Sequence, residues 1–370
     1  MGNANLPAGR TGAEHVTILG DGAMATVCAI LLNEGGHGVA MWGPHRESID
    51  RLAANREQTR RLPGVRVPDG VRLTADDADC FGGATMVLSA IPTQYMRGVW
   101  QRLLPHLPAG IPVVSVAKGI EVETLVRPTE ILAGVLPPSD PRPIAVLSGP
   151  NIAAEIGRRL PATAVAASTD PEFARRVQAV FSTQRFRVYT NSDVLGVELA
   201  GATKNVIAIA AGILDGIAAG NNAKAALVTR GLVEISRLAA AMGAQPATFA
   251  GLAGLGDLIT TCVSPEGRNR TVGERIGRGQ KLDEILAGMA SVAEGVPTTR
   301  SVMQLARKHR VQMPITEAVH AVLFEGKEPK RAITELMTRE PKAEADWTGA
   351  ARGSGPITIV AHPAPARPPI

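Results

Sequence analysis

An α/β N-terminal domain on a doubly wound parallel sheet, followed by an all-α C-terminal domain, is the fold class that three features of this 370-residue sequence predict. Short β-branched runs alternate with helical stretches from His15 to about Asn191. Strand signals then stop. The remainder, to about Arg339, is rich in Ala and Leu and reads as helices. Hydrophobic residues are 45% and charged residues 20% of the chain, enough for a sizeable core.

Taken in order, HVTILG is a first strand and GAMATVCAILLNEG the helix after it. VAMW, TMVLSA, PVVSVA, IAVLSG, TAVAAS and FRVYT are further strands. Breaks at MGAQPA, SPEGRN and GVPTT divide the helical part. The expected boundaries are 14–191 for the first domain and 192–340 for the second, with ligands between them. Residues 1–13 are polar, and 341–370 include the Pro-rich GSGPITIVAHPAPARPPI; both ends are expected to be disordered.

Composition excludes several function classes. The net charge is +5, but the cations are scattered and aromatics are 3%, too few for base-stacking platforms, so no nucleic-acid partner is expected. Cys28, Cys80 and Cys262 lie far apart with no CxxC spacing, which argues for a reducing compartment and no metal. The segment 194–214 carries Glu198 and Lys204 and reads as too interrupted to span a bilayer. The N-terminus lacks the apolar region of a signal peptide, and MGNANL lacks the Ser or Thr of a myristoylation signal. A cytoplasmic protein without membrane insertion is expected.

GDGAMA, Gly20 to Ala25, follows the first strand and opens the first helix, the place a Rossmann-type dinucleotide fingerprint occupies. Gly20 allows a tight turn, Gly22 lets the backbone approach a pyrophosphate, and Ala25 is small enough for close helix–strand packing. A free helix N-terminus suits the phosphates. The alternative is a Gly-rich turn joining any strand to any helix. The second strand ends without the acidic residue that would hold a ribose 2′-hydroxyl, and His45 and Arg46 stand there instead. Arg46 reads either as a 2′-phosphate ligand or as an exposed loop residue, so the cofactor is NAD or NADP.

Five further stretches carry candidate ligand or catalytic residues. Lys118 follows the strand PVVSVA at the sheet end that faces ligands, or is a solvated loop residue. SGPNIAAE places Gly149, Asn151 and Ala153 after another strand, or simply starts a helix with Pro at its first turn. Asp257, in GLAGLGDLITTC, is a site carboxylate or a helix cap. Arg268 and Asn269, in SPEGRNR, are an anion site or a basic surface turn. Lys204 is the only basic residue in GATKNVIAIAAGILDGI. Its helical neighbours Ala200, Gly201, Ile207 and Ala208 offer no carboxylate, so it has a partner elsewhere or snorkels over apolar surface.

In this order, GxGxxA, MWG, LPG at 62–64, IPTQ at 91–94, AKGIE, LSGPNIAAE, LAGATKNVIAIAAGILDG, GLAGLGDLITTC, GRNR and VAEGVPTT make the chain resemble the NAD(P)-dependent sn-glycerol-3-phosphate dehydrogenases from about Val16 to about Thr338. The resemblance implies that Lys204 is the catalytic acid/base at the C2 oxygen of dihydroxyacetone phosphate or sn-glycerol 3-phosphate. It implies substrate contacts from Lys118, Gly149, Asn151, Asn205, Asp257, Arg268 and Asn269. Cofactor contacts are implied for Gly20, Gly22, Ala23, Met24, Ala25, His45, Arg46, Lys118, Ala153, Arg268, Val292 and Glu294, although Glu294 reads equally as a surface charge. A homodimer and a place in glycerophospholipid synthesis are implied as well.

The pattern is broken at one place. Members of that family usually carry a GSWG-like run where this chain has GAMA, so a side-chain phosphate contact and an aromatic surface are missing. Two other readings therefore stand beside the dehydrogenase: a non-catalytic dinucleotide-binding relative, and a dehydrogenase of another small phosphorylated or hydroxy acid substrate. On residues alone, burial and a second cation such as Lys118 would lower the pKa of Lys204 and Asp257 would oppose them, leaving the net direction open.

Overall fold

The computed structural model describes residues 12–341 together with 343 and 344. The end segments expected to be disordered lie almost entirely outside these residues. Eight strands form one sheet: β1 (His15–Leu19), β2 (Gly38–Trp42), β3 (Val71–Thr74), β4 (Met86–Ser89), β5 (Val113–Ser115), β6 (Ile144–Ser148), β7 (Ala162–Ser168) and β8 (Phe186–Asn191). Their order is β3-β2-β1-β4-β5-β6-β7-β8. The order reverses between β1 and β4, which opens a crevice at their C-terminal ends.

The doubly wound α/β domain is as the sequence predicts, with one change of direction. β6 and β7 pair antiparallel while every other neighbouring pair is parallel. Their connection holds just a five-residue helix, Ala153–Gly157, which turns the chain back instead of carrying it across a sheet face. That helix starts at Ala153, so Pro150 does not occupy its first turn. β3 is the strand the sequence pattern did not reveal; VRLT is a short edge strand with Arg72 exposed.

Alternation along each strand builds two cores. Val16 and Ile18 of β1, Met86 and Leu88 of β4 and Val114 of β5 pack with α1 (Ala23–Glu34) and the helix Pro171–Phe181. Leu19, Val87 and Val113 face the other way, onto Met96 and Trp100 of the helix Thr93–Leu103 and Ile131 of the helix Pro128–Val135. In chain order these helices are α1, α2 (Arg46–Asn55), α3 (Thr93–Leu103), α4 (Pro128–Val135), α5 (Ala153–Gly157) and α6 (Pro171–Phe181).

Beyond β8 the chain is helical: α7 (Val194–Gly216), α8 (Asn221–Ala241), α9 (Pro246–Phe249), α10 (Asp257–Val263), α11 (Arg268–Gly277), α12 (Leu282–Ala287), α13 (Gly295–Lys308), α14 (Pro314–Phe324) and α15 (Pro329–Met337). The expected breaks fall at helix starts: MGAQPA runs into α9, SPEGRN into α11, and GVPTT opens α13 after the gap that follows α12. α7 corrects another expectation. It is one unbroken helix, long and apolar enough by composition to cross a membrane, as is the stretch Pro246–Val263. α7 is instead the centre of the helical core, buried from Gly196 to Leu214. Asp193 starts it by accepting from the Gly196 N–H at 2.9 Å.

Small residues let α11 lie directly on α7. A Cβ on Gly212 or Gly216 would collide with the carbonyl oxygens of Arg270 or Glu274, and one on Gly273 or Gly277 with those of Ile209 or Ile213. Each helix thus presents a Gly-x-x-x-Gly stripe to the other, and the two backbones touch. The sheet joins this bundle through Val146, Val165, Ala167, Val197 and Ala253. Glu198 of α7 adds a buried polar clamp: it accepts from Arg127, from the Thr129 N–H at 2.8 Å and from the Thr129 hydroxyl at 2.7 Å.

Candidate active site

Lys204 lies in the middle of α7 and is 6% exposed. Its partner comes from α10, as the absence of a carboxylate on its own helical strip requires. Nζ donates to Asp257 Oδ1 at 2.6 Å and to Thr261 Oγ1 at 2.5 Å. Asp257 is fully buried and does not cap α10, whose N-cap is Gly256. Its other oxygen accepts from Lys118 Nζ at 2.7 Å, and Lys118 also donates to the Gly149 carbonyl at 2.9 Å. A turn of π-helix, Leu252–Gly256, leads directly into Asp257, an irregularity common at functional sites.

One carboxylate between two ammonium groups leaves a net positive charge in a shielded place. Burial pushes the Lys204 pKa down to about 8; Asp257 opposes this, and Lys118 adds to it. The direction left open by the sequence is therefore downward. A lysine poised near this value both gives and takes a proton close to neutrality.

Asn205, next on α7, donates from Nδ2 to the Lys118 carbonyl at 3.0 Å and so fixes the loop that carries Lys118. Asn269 at the start of α11 is buried, and its Oδ1 accepts from the Gly295 N–H at 3.0 Å. A Cβ on Gly295 would fall 2.8 Å from both the Asn205 carbonyl and Asn269 Oδ1, so α7, α11 and α13 converge there. Arg268 is exposed and makes no hydrogen bond or ion pair with the described residues, leaving its guanidinium free for an anion. Asn151 turns inward instead, donating to the Thr163 carbonyl at 2.8 Å.

The fingerprint fits a dinucleotide. Gly20 has φ +123°, and a Cβ there would lie 2.8 Å from the Ala90 carbonyl. A Cβ on Gly22 would meet nothing within 4 Å, so the turn faces open space. Gly22 gives α1 no side-chain cap, and the first turn has no acidic residue, which leaves that N-terminus available to phosphate. Ala25 is buried as small packing requires, while Ala23 and Met24 rest partly buried against the core. His45 and Arg46 are exposed at the start of α2, beyond the end of β2. Val292 is 37% exposed. Glu294 is no simple surface charge: its Oε1 accepts from the Thr93 N–H at 2.8 Å and ties α13 to the start of α3.

Thr261 is a site residue that the sequence reading missed. Its signal was the Asp257-x-x-x-Thr261 spacing, which puts both side chains on one helical face. A cavity of about 780 Å³ lined by Leu282, Leu286, Arg300 and Phe324 lies among α11 to α15, and none of the site residues lines it. The three cysteines are free and buried; burial raises the Cys262 thiol to about 12.

Residues 15–174 match the N-terminal part, and residues 193–334 the C-terminal part, of the NAD-dependent glycerol-3-phosphate dehydrogenase family. A glycerol-3-phosphate dehydrogenase [NAD(P)+] from Chlorobium limicola is 49% identical over 330 residues, 89% of this chain and 99% of that protein. One from Geobacter sulfurreducens is 47% identical over 332 residues, 90% and 99% of the two chains. The crystal structure of the Coxiella burnetii glycerol-3-phosphate dehydrogenase superposes with a TM-score of 0.85 at 36% identity, covering 88% of this chain and 99% of that one. With both halves matched in order, the chain belongs to the NAD-dependent glycerol-3-phosphate dehydrogenase family.

Proposed function

We propose that this protein is an NAD(P)-dependent sn-glycerol-3-phosphate dehydrogenase, reversibly reducing dihydroxyacetone phosphate and serving glycerophospholipid synthesis. The observation that carries this reading is the buried Lys204, bonded to Asp257 and Thr261, with Lys118 on the other oxygen of the same carboxylate. A bound reduced nicotinamide supplies the hydride that C2 receives. Lys204 hydrogen-bonds the carbonyl oxygen and passes it a proton as charge develops there; in the reverse direction it removes that proton. Asp257 orients the ammonium and balances Lys118, and Thr261 holds a second N–H, which leaves the third for the carbonyl oxygen.

Arg268 and Asn269 suit the phosphate, since a free guanidinium and an amide at a helix N-terminus favour a dianion. Lys118, Gly149, Asn151 and Asn205 complete the substrate surroundings, and Ala153, Val292 and Glu294 the cofactor's. The unit boundaries near Asn191 and Glu340, a cytoplasmic location and a homodimer belong to the same reading. The free cysteines support a reducing compartment. Light scattering on the purified protein tests the dimer.

The decisive experiment follows oxidation of NADPH and NADH by the purified protein with dihydroxyacetone phosphate, beside Lys204→Ala. Turnover that disappears in the variant is expected. Binding of either dinucleotide without turnover by the wild type would reject the dehydrogenase in favour of a non-catalytic relative.

A further inference from the structure

The connection from β5 to α4 has no regular structure, and it carries Lys118 across the junction between the two domains. Ala117 is buried in the core beneath the sheet, whereas Ile120, three positions on, is buried in the helical core around α7. The Lys118 ammonium meets Asp257 of α10 at 2.7 Å, so an ion pair of the site spans the junction. A lysine on such a loop has many rotamers to lose, and its place depends on what holds the loop.

One face of α3 holds it. Gln94, in the first turn, donates from Nε2 to the Ile120 carbonyl at 2.8 Å and accepts at Oε1 from the Val122 N–H at 3.1 Å. Arg97, three positions later on the same face, donates to both oxygens of Glu121, from Nε at 3.0 Å and from Nη2 at 2.7 Å. From the helical domain, Ser301 of α13 donates to the same Ile120 carbonyl at 3.0 Å, and Asn205 to the Lys118 carbonyl at 3.0 Å. A Cβ on Gly119 would lie 2.6 Å from Thr93 Oγ1, so the loop is pressed against the start of α3. Among these four bonding side chains, Gln94 alone takes both a main-chain acceptor and a main-chain donor of the loop, as a neighbouring strand would.

We propose that Gln94 is a positioning residue of the reaction: by bonding the loop on both sides of Glu121 it sets the Lys118 ammonium on Asp257, and through that shared carboxylate it governs Lys204. The inference rests on the dehydrogenase reading above, in which Lys204 moves the proton. The titratable and charged groups facing Lys204 are Asp257 and Cys262 of α10 and Lys118. From α11 and α13, Asn269 and Gly295 meet α7 beside Asn205, and neither titrates. Lys224 of α8 is paired with Asp215 near the C-terminal end of α7, and Glu294 of α13 holds the Thr93 N–H. Lys118 is thus the mobile charge of the set. With its ammonium withdrawn, a cation that disfavours the charged Lys204 is lost and Asp257 has one partner fewer, and both changes favour the Lys204 ammonium. Loosening the loop therefore acts in the same direction as removing the Lys118 charge.

The pH profile of dihydroxyacetone phosphate reduction by the full-length protein tests this in a double-mutant cycle of Gln94→Met and Lys118→Met. Methionine keeps the length of glutamine and removes both bonds. Gln94→Met is expected to lower kcat/KM by about tenfold or more, since a misplaced site group is costly, and to move the alkaline limb up by about half a pH unit. In the Lys118→Met background the same substitution should move the limb no further. Ser301→Ala, which removes the other bond to the Ile120 carbonyl, should shift the limb the same way, and it replaces Gln94→Met in the cycle if thermal melts show that variant unfolded. A limb left in place by the single variant, or moved equally with and without Lys118, would overturn the inference alone. Absence of turnover in the wild type would remove it together with the reading it rests on.

Discussion

Replacing Asp257 by Asn and, separately, Lys118 by Met should move the pH profile of carbonyl reduction in opposite directions. Lys204 has a pKa of about 8 in place of the ordinary 10.5, because burial outweighs its bond to Asp257. The difference corresponds to roughly 3 kcal/mol against the charged form. Reduction needs the ammonium, so kcat/KM should be flat below about pH 8 and fall about tenfold per pH unit above it; oxidation should rise up to that value and then level. Asn at position 257 removes the neighbour that favours the charge, and an opposite charge this close is worth about 1–3 pKa units, so the limb moves to lower pH. Met at position 118 removes a cation that disfavours the charge and moves the limb up. That shift is the smaller one, because Asp257 is the stronger neighbour. The profile of log kcat/KM for dihydroxyacetone phosphate, measured in both directions, reads the shifts even where the absolute rate falls. Shifts of the same sign, or a limb that neither variant moves, would show that Lys204 is not the group whose proton controls the rate.

Three other substitutions test the frame around the site. Gly212→Ala drives a methyl into the α11 backbone and should cost about 3 kcal/mol or more, read as a lowered denaturant midpoint. Glu198→Ala removes one of the two carboxylates on Arg127, leaving Glu130 at 2.8 Å, and strips Thr129 of its acceptor; it should destabilise by about 1–3 kcal/mol, seen as a drop in Tm with no change in the pH profile of the remaining activity. Ala23→Ser restores a hydroxyl at the uncapped start of α1 and should tighten dinucleotide binding by about tenfold or more in calorimetry, since a hydrogen bond to a charged group is worth about 1.5–3 kcal/mol.

The alternation of apolar runs and helices was legible because the inner strands of the sheet bury side chains on both faces, and the switch to helices at α7 was legible for the same reason of period. Lys204 could be singled out because its own helical strip offers nothing to pair with. Its second partner was harder to see, since Thr261 gains meaning only when α10 is laid against α7. The direction of β7 was hidden because a strand's composition is the same whichever way it runs. Asn151 was singled out by its place after a strand; the bond from its amide to the Thr163 carbonyl was not legible, because that partner comes from β7. Glu294 and Asp21 carry charges whose partners, Thr93 and Arg61, stand 201 and 40 positions away, distances at which local pattern holds no information.

The glycine stripes of α7 and α11 have a consequence for what the protein accepts. Because the two backbones touch without side chains between them, the separation between Lys204 on one helix and Asn269 on the other is set by main-chain contact and cannot relax as a layer of side chains would. The pair of helices therefore acts as a gauge block. On the roles proposed for Lys204 and Asn269, a molecule would be tested for the span between its reacting oxygen and its phosphate, and one carbon too many or too few would leave one end unmet however well the other is held.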